Sequence, residues 1–198
     1  MLKSVEILNL LAARQFDGWM RPGIKTKLRP KLGNTIDLYA SQERVPGMLA
    51  LSQSMGPVLF EVGKKVASHI AERTIPLLKG ISGYHRFAES NTIEEARQSS
   101  EFTIFQMIYQ GTLTGLLKLV AYAKNKLIVI QVEECADCTG MVNLGRSICY
   151  FVGGEITGAV EVALGKSLGY VETKCTVKGD QCCEFRLTVP QEQGGVFR

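Results

Sequence analysis

Apolar residues follow two rhythms along this chain. From Pro46 to Lys79, Met48, Leu49, Leu51, Met55, Val58, Leu59, Val62, Val66 and Ile70 recur at helical spacing. Gly56-Pro57 interrupts the run, so the pattern predicts one kinked helix or two. Upstream, Val5 to Trp19 reads as a shorter amphipathic helix ending before Pro22, followed by the basic, proline- and glycine-punctuated stretch RPGIKTKLRPKLGN. In NTIEEA, Thr92 and Glu95 stand at capping-box spacing and predict a helix running to about Tyr109. Beyond Tyr109 the rhythm changes. LLKLVAYAK and KLIVIQVEEC are rich in Val, Ile and Leu and flank a Lys-Asn-Lys turn, predicting a hairpin whose second strand ends at Cys135. Helical spacing returns through Ile148, Phe151, Ile156, Val160 and Leu164, with Gly165 as the C-cap. The last unit, LGYVETKCTVKGDQCCEFRLTV, predicts a second hairpin around Lys178-Gly179-Asp180.

Helices, hairpin, helix, hairpin is the order of an α+β domain: an antiparallel sheet of two hairpins packed against helices, here with an amino-terminal helical extension. The division predicted is a basic amphipathic extension and linker over 1–34, one domain over 35–190 and a tail over 191–198. A chain of 198 residues buries a core without disulfides, and 45% apolar and 21% charged residues are ordinary for a globular protein. The sequence has no apolar run long enough for a membrane span, and the amino terminus lacks the uninterrupted apolar core of an export signal. Six cysteines in such a chain point to the reducing cytoplasm, where thiols serve metal, redox or packing.

Charge changes the picture little. Seven basic residues against Glu6 and Asp17 give the first 32 residues a surplus of five, while the whole chain carries +4. The globular part therefore has no basic excess for a phosphate backbone, and a nucleic-acid partner is not expected. The basic start reads as a solvated linker.

Thiols carry the candidate chemistry. A tetrahedral zinc ion takes four soft or borderline ligands, and Cys135, Cys138, Cys149, Cys175, Cys182, Cys183 and the carboxylate of Glu172 are the available donors. One grouping pairs the C-x-x-C of Cys135 and Cys138 with Cys175 and one of Cys182 and Cys183. These two neighbours face opposite ways on a strand, so only one shares the face of Cys175. A two-residue turn selects Cys182 and a three-residue turn selects Cys183. Cys135 and Cys138 are also open to a redox reading, and a buried cysteine is often simply core.

The run from Glu134 to Leu187 carries E-C-x-x-C, G-R-x-x-C-x-F, a helix with spaced glycines, E-T-K-C and G-D-x-x-C-x-F. In these features it resembles the 4-vinyl reductase domain family, a small-molecule-binding module of bacteriochlorophyll biosynthesis proteins and aromatic-sensing transcription activators. The resemblance implies a zinc held by Cys149, Glu172, Cys175 and Cys183, and leaves Cys135 and Cys138 outside the set. Glu172 and Cys175 are three apart and converge only if their strand bends or bulges. It also implies an apolar pocket between sheet and helices, for which Phe102, Phe105, Met107, Tyr109, Leu117, Tyr122 and Ile128 are the candidates. The histidine and tryptophan that hold a phenolic hydroxyl in the aromatic sensors have no counterpart near the first hairpin, since the single tryptophan is Trp19.

The expected function is a zinc-stabilised binding or sensing module for a small hydrophobic ligand, more a binder than an enzyme, acting through a homodimer or a protein partner. Two alternatives stand beside it: an accessory protein or reductase in tetrapyrrole metabolism, and an interaction module related to vesicle-tethering subunits. Other motifs carry less. AVEVALGKS lacks the first glycine of a phosphate-binding loop and ends a helix instead of opening one. His69 and His85 stand in no triad pattern, and YHRFAES reads as a loop.

Overall fold

The computed structural model of the protein describes residues 54–111, 114–138 and 144–190. The predicted extension over 1–34, the start of the long helical run and the tail over 191–198 lie outside the described residues. Four helices and four strands follow one another among the described residues: α1 Met55–Leu78, α2 Ile93–Gln98, α3 Ser100–Gly111, β1 Leu116–Ala123, β2 Leu127–Glu133, α4 Tyr150–Leu164, β3 Gly169–Lys174 and β4 Cys183–Thr188. The strands form one antiparallel sheet in the order β1-β2-β4-β3. The two hairpins are therefore joined along β2 and β4, and the architecture is the α+β one expected.

Proline is tolerated in a first helical turn because its missing N–H has no intrahelical acceptor there. Gly56-Pro57 accordingly falls in the first turn of α1, and the helix runs unbroken from Met55. The helix predicted from Thr92 to Tyr109 is two helices. Thr92 caps α2 by accepting the Glu95 N–H at 3.2 Å. Ser99 then leaves the helix in an extended conformation and caps α3, its Oγ accepting the Phe102 N–H at 3.2 Å. A serine that bonds locally in this way competes with the helix interior, which is why the run breaks there.

On the sheet, alternation decides burial. Ile128, Ile130 and Val132 of β2 stand opposite Leu187, Phe185 and Cys183 of β4, all turned to the core. Leu117 and Leu119 of β1 join them, and a bulge after Leu119 shifts the phase so that Tyr122 pairs with Ile128. The free edge of β1 is covered by side chains of α2 and α3: Arg97 Nε donates to the Leu119 carbonyl at 2.9 Å and Gln106 Nε2 to that of Leu117 at 3.0 Å.

Glycines bring α1 and α4 into backbone contact. A methyl group on Gly154 would strike the Phe60 carbonyl oxygen, one on Gly158 the Lys64 carbonyl oxygen, and one on Gly63 the Phe151 carbonyl oxygen. The spaced glycines of α4 are thus its packing surface toward α1. Gly165 ends α4 at φ 66°, as a left-handed C-cap.

Candidate metal centre

The residues after β2, the start of α4 and the β3–β4 hairpin meet at one point. Cys149 is the N-cap of α4, so its sulfur stands at the positive end of a 15-residue helix, which favours thiolate. Cys183 opens β4 on its inward face, opposite Val132. Glu172 stands opposite Phe185 and Lys174 opposite Glu184, with Thr173 as the extra residue of a bulge. Continuing that register turns Cys175 to the same side as Glu172 and Cys183. The bulge required for Glu172 and Cys175 to converge is therefore present.

The hairpin connection differs from both turns considered from the sequence. It occupies Cys175–Cys182 and contains a 3-10 turn at Thr176–Lys178 followed by Gly179 at φ 97°. Asp180 fastens it, its Oδ2 accepting the Cys175 N–H at 2.8 Å. Leu144 N–H donates to the Val177 carbonyl at 3.0 Å, tying the approach to α4 onto the same turn. A loop of this length folded back on itself turns the Cys175 side chain inward and keeps Cys183 in strand register.

Five sulfurs crowd the junction. Cys149 Sγ lies 2.9 Å from Cys138, 3.4 Å from Cys183, 3.7 Å from Cys135 and 3.8 Å from Cys175. Cys138 Sγ lies 3.7 Å from both Cys175 and Cys183. All five are buried and none is in a disulfide. Donor atoms of Cys149, Glu172, Cys175 and Cys183 fall within 4.8 Å of one another, and so do those of Cys135, Cys138, Cys149 and Cys183. The set implied by the resemblance is brought together. Cys135 and Cys138, which it left out, are brought in as well, and their E-C-x-x-C spacing is the sequence signal for them. Cys182, half-buried, faces away and lines a polar groove of about 640 Å³ with Glu133, Glu134 and Lys174.

The donor set fits a metal ion. An ion bound by thiolates at about 2.3 Å in tetrahedral array sets neighbouring sulfurs about 3.8 Å apart, close to most of the separations here. Without a cation Glu172 is anomalous: its Oε1 is buried with no hydrogen-bond partner. Burial, the charge of Cys175 and the hydrogen bond with it push its carboxyl up to about 10. Hydrogen bonds from Cys138 and Cys149 hold the Cys175 thiol down to about 6, whereas contact with Cys135 drives both Cys138 and Cys149 up. A soft divalent ion would meet the carboxylate's missing partner and displace the protons the thiols share.

A second polar group lies buried between α3 and α4. Tyr109 Oη donates to Glu155 Oε2 at 3.3 Å, and burial raises the Glu155 carboxyl to about 7 despite that bond. The pocket candidates surround it in part. Phe102, Phe105, Tyr109, Leu117 and Ile128 are buried in the core, and Met107 and Tyr122 pack half-buried against it. Tyr122 Oη donates to the Ser90 carbonyl at 3.0 Å. YHRFAES is a loop with a single 3-10 turn, much as read from the sequence. Its Tyr84 Oη and the Phe87 N–H both donate to the buried Glu101 carboxylate, at 2.5 and 2.6 Å.

With this architecture in view, the class is a sheet-and-helix module whose last helix and last hairpin share a thiol-lined centre. Residues 128–189 match the model of the 4-vinyl reductase domain family, and this part of the chain is a domain of that family. An uncharacterised protein of Methanocaldococcus jannaschii is 27% identical over 158 residues, 80% of this chain and 79% of its own length. Two solved structures are similar in fold. One is a trafficking protein particle complex subunit 3 from Naegleria fowleri covalently bound to palmitic acid, at TM-score 0.53 and 17% identity, covering 78% of this chain and 93% of that one. The other is the phenol-responsive sensory domain of the transcription activator PoxR with phenol, at TM-score 0.52 and 14% identity, covering 78% of this chain and 75% of that one. Among the described residues no helix is long and apolar enough to cross a membrane.

Proposed function

We propose that the protein is a zinc-stabilised binding or sensing module for a small hydrophobic ligand. The observation that carries this reading is the convergence of Cys149, Glu172, Cys175 and Cys183 on one buried point, with the Glu172 oxygen unpartnered there. Four protein ligands leave no open position, which is the arrangement of a structural site. The ion would supply cross-linking: it would hold the start of α4 to both strands of the second hairpin, fixing one wall of the space between sheet and helices. The small molecule would lie against Phe102, Phe105, Met107, Tyr109, Leu117, Tyr122 and Ile128, with the Tyr109–Glu155 pair as the polar group that orients it. Phenol and palmitic acid, bound by the two proteins of similar fold, share an apolar body with one polar end, and a ligand of that kind suits this lining. Six unpaired thiols fit a reducing, cytoplasmic setting.

Elemental analysis and native mass spectrometry of protein purified without added metal test this directly. About one zinc per chain with an extractable apolar molecule is the expected result. Absence of both would remove the reading.

One observation favours a role in assembly as well. Val58, Val62 and Val66 form a stripe along α1, exposed by 50%, 46% and 42%. Such a stripe supports a homodimer or a helical protein partner, and sedimentation of wild-type protein beside Val62→Lys would tell a dimer from a monomer.

A further inference from the structure

We infer that Cys138 is an additional ligand of the metal centre, exchanging with Glu172 for the fourth coordination position; this rests on the reading that the cluster holds a metal ion. Three thiols, Cys149, Cys175 and Cys183, are common to either arrangement. Glu172 approaches them from the bulge in β3. Cys138 approaches from the turn after β2, where its own N–H donates to the Cys135 carbonyl at 3.0 Å. Its Sγ stands 2.9 Å from Cys149 and 3.7 Å from each of Cys175 and Cys183. With Cys149 lying 3.8 Å from Cys175 and 3.4 Å from Cys183, these four sulfurs outline a tetrahedron near the size a thiolate-bound ion needs, with edges of about 3.8 Å.

The exchange is balanced. The bond from the ion to the Glu172 oxygen breaks, a bond to Cys138 sulfur forms, and the proton of the Cys138 thiol passes to the Glu172 carboxyl. Four negative ligands surround the ion before and after, so the net charge of the buried centre is unchanged and no oxidant or other co-reactant takes part. The two states differ in softness: three sulfurs and an oxygen suit borderline ions, and four sulfurs suit softer ones such as cadmium. They differ also in what is tied down. With Glu172 bound, β3 and the turn after it are held through two residues; with Cys138 bound, the turn after β2 is held to α4 and the second hairpin.

Cadmium-loaded full-length protein provides the test, with sulfur coordination counted by X-ray absorption and affinity measured by chelator competition. The account expects four sulfurs in the wild type and in Glu172→Gln, and three in Cys138→Ser. Each single variant should weaken binding by less than about tenfold, and the double variant by more than about a hundredfold. Cys135→Ser should keep four sulfurs. Three sulfurs in the wild type would overturn the inference while leaving the metal centre intact with Glu172 as its fourth ligand. Four sulfurs retained in Cys138→Ser and lost in Cys135→Ser would overturn it in favour of Cys135. No cadmium bound by the wild type would remove the metal reading itself. The count on the wild type needs no variant to fold.

Discussion

Between Leu116 and Glu133 the chain reverses over Lys124 to Lys126, with Asn125 at φ 57°. Between Gly169 and Thr188 it reverses over the whole of Cys175–Cys182, bulges at Thr173 and folds a 3-10 turn into the connection. The first hairpin obeys the period of two because its task is to bury one face: Ile128, Ile130 and Val132 go in and their neighbours stay half-exposed. The second hairpin has a different task. Glu172, Cys175 and Cys183 must reach the sulfur of Cys149, and a regular ladder cannot turn two residues three apart to the same side. Departures from regular strand geometry mark where the chain serves a site, and regularity marks where it serves the core.

The comparison breaks most severely at the thiols. Cys175→Ser should lose the metal and cost on the order of 4 kcal/mol in denaturant unfolding, since a structural ion couples its binding energy to folding. Cys182→Ser, on the position next to Cys183 but outside the cluster, should keep the metal and stay within about 0.5 kcal/mol. Equal metal loss in the two would contradict the distinction between them.

A second break runs through the helix that joins the hairpins. Gly158→Ala places a methyl group against the Lys64 carbonyl, and pushing α4 off α1 should cost about 3 kcal/mol. The loss should appear as a lower melting temperature with the metal content retained. A melting temperature unchanged from wild type would mean that the helix pair is not held as closely as described.

Much of this was legible in the chain. The element order, the three-residue first turn, the Gly165 cap and the thiol-bearing motifs follow from periodicity and spacing. What escaped has a local cause in each instance. Ser99 looks like any polar residue on a helix face until its hydroxyl is seen to accept from Phe102, and the break between α2 and α3 depends on that bond. The length of the second connection was hidden because Asp180 closes the loop onto the Cys175 N–H. Cys135 and Cys138 were visible as C-x-x-C, but only the fold of the turn after β2 says which sulfurs they face. The packing role of the α4 glycines depends on α1, a partner distant in sequence.

A smaller effect concerns protons at the helices. Burial raises Glu155 to about 7 from 4.5, so the native state holds a proton that the unfolded chain has released. Its contribution is fully present below the unfolded value and is lost as pH rises through the folded one. Between about pH 5.5 and 7.5 the wild type should therefore lose about 2 kcal/mol relative to Glu155→Gln. Parallel unfolding curves for the two proteins at both pH values would refute it.

The gentlest test belongs to the regular hairpin. Asn125→Ala asks a residue with no local hydrogen-bonding side chain to hold a left-handed conformation, at about 1 kcal/mol. Metal content and the melting profile of the second hairpin should not change. A loss of metal here would show that the two hairpins are not independent in the way their geometries imply.

Hydrogen exchange on the two hairpins before and after metal removal by a chelator tests the central claim most directly. The account predicts that the amides of Gly169–Thr188 and of the first turn of α4 lose protection on chelation, while those along the β1–β2 ladder keep most of theirs. Equal protection in both hairpins with and without chelator would contradict it, because the second hairpin would then hold its bulged shape without an ion at the thiols.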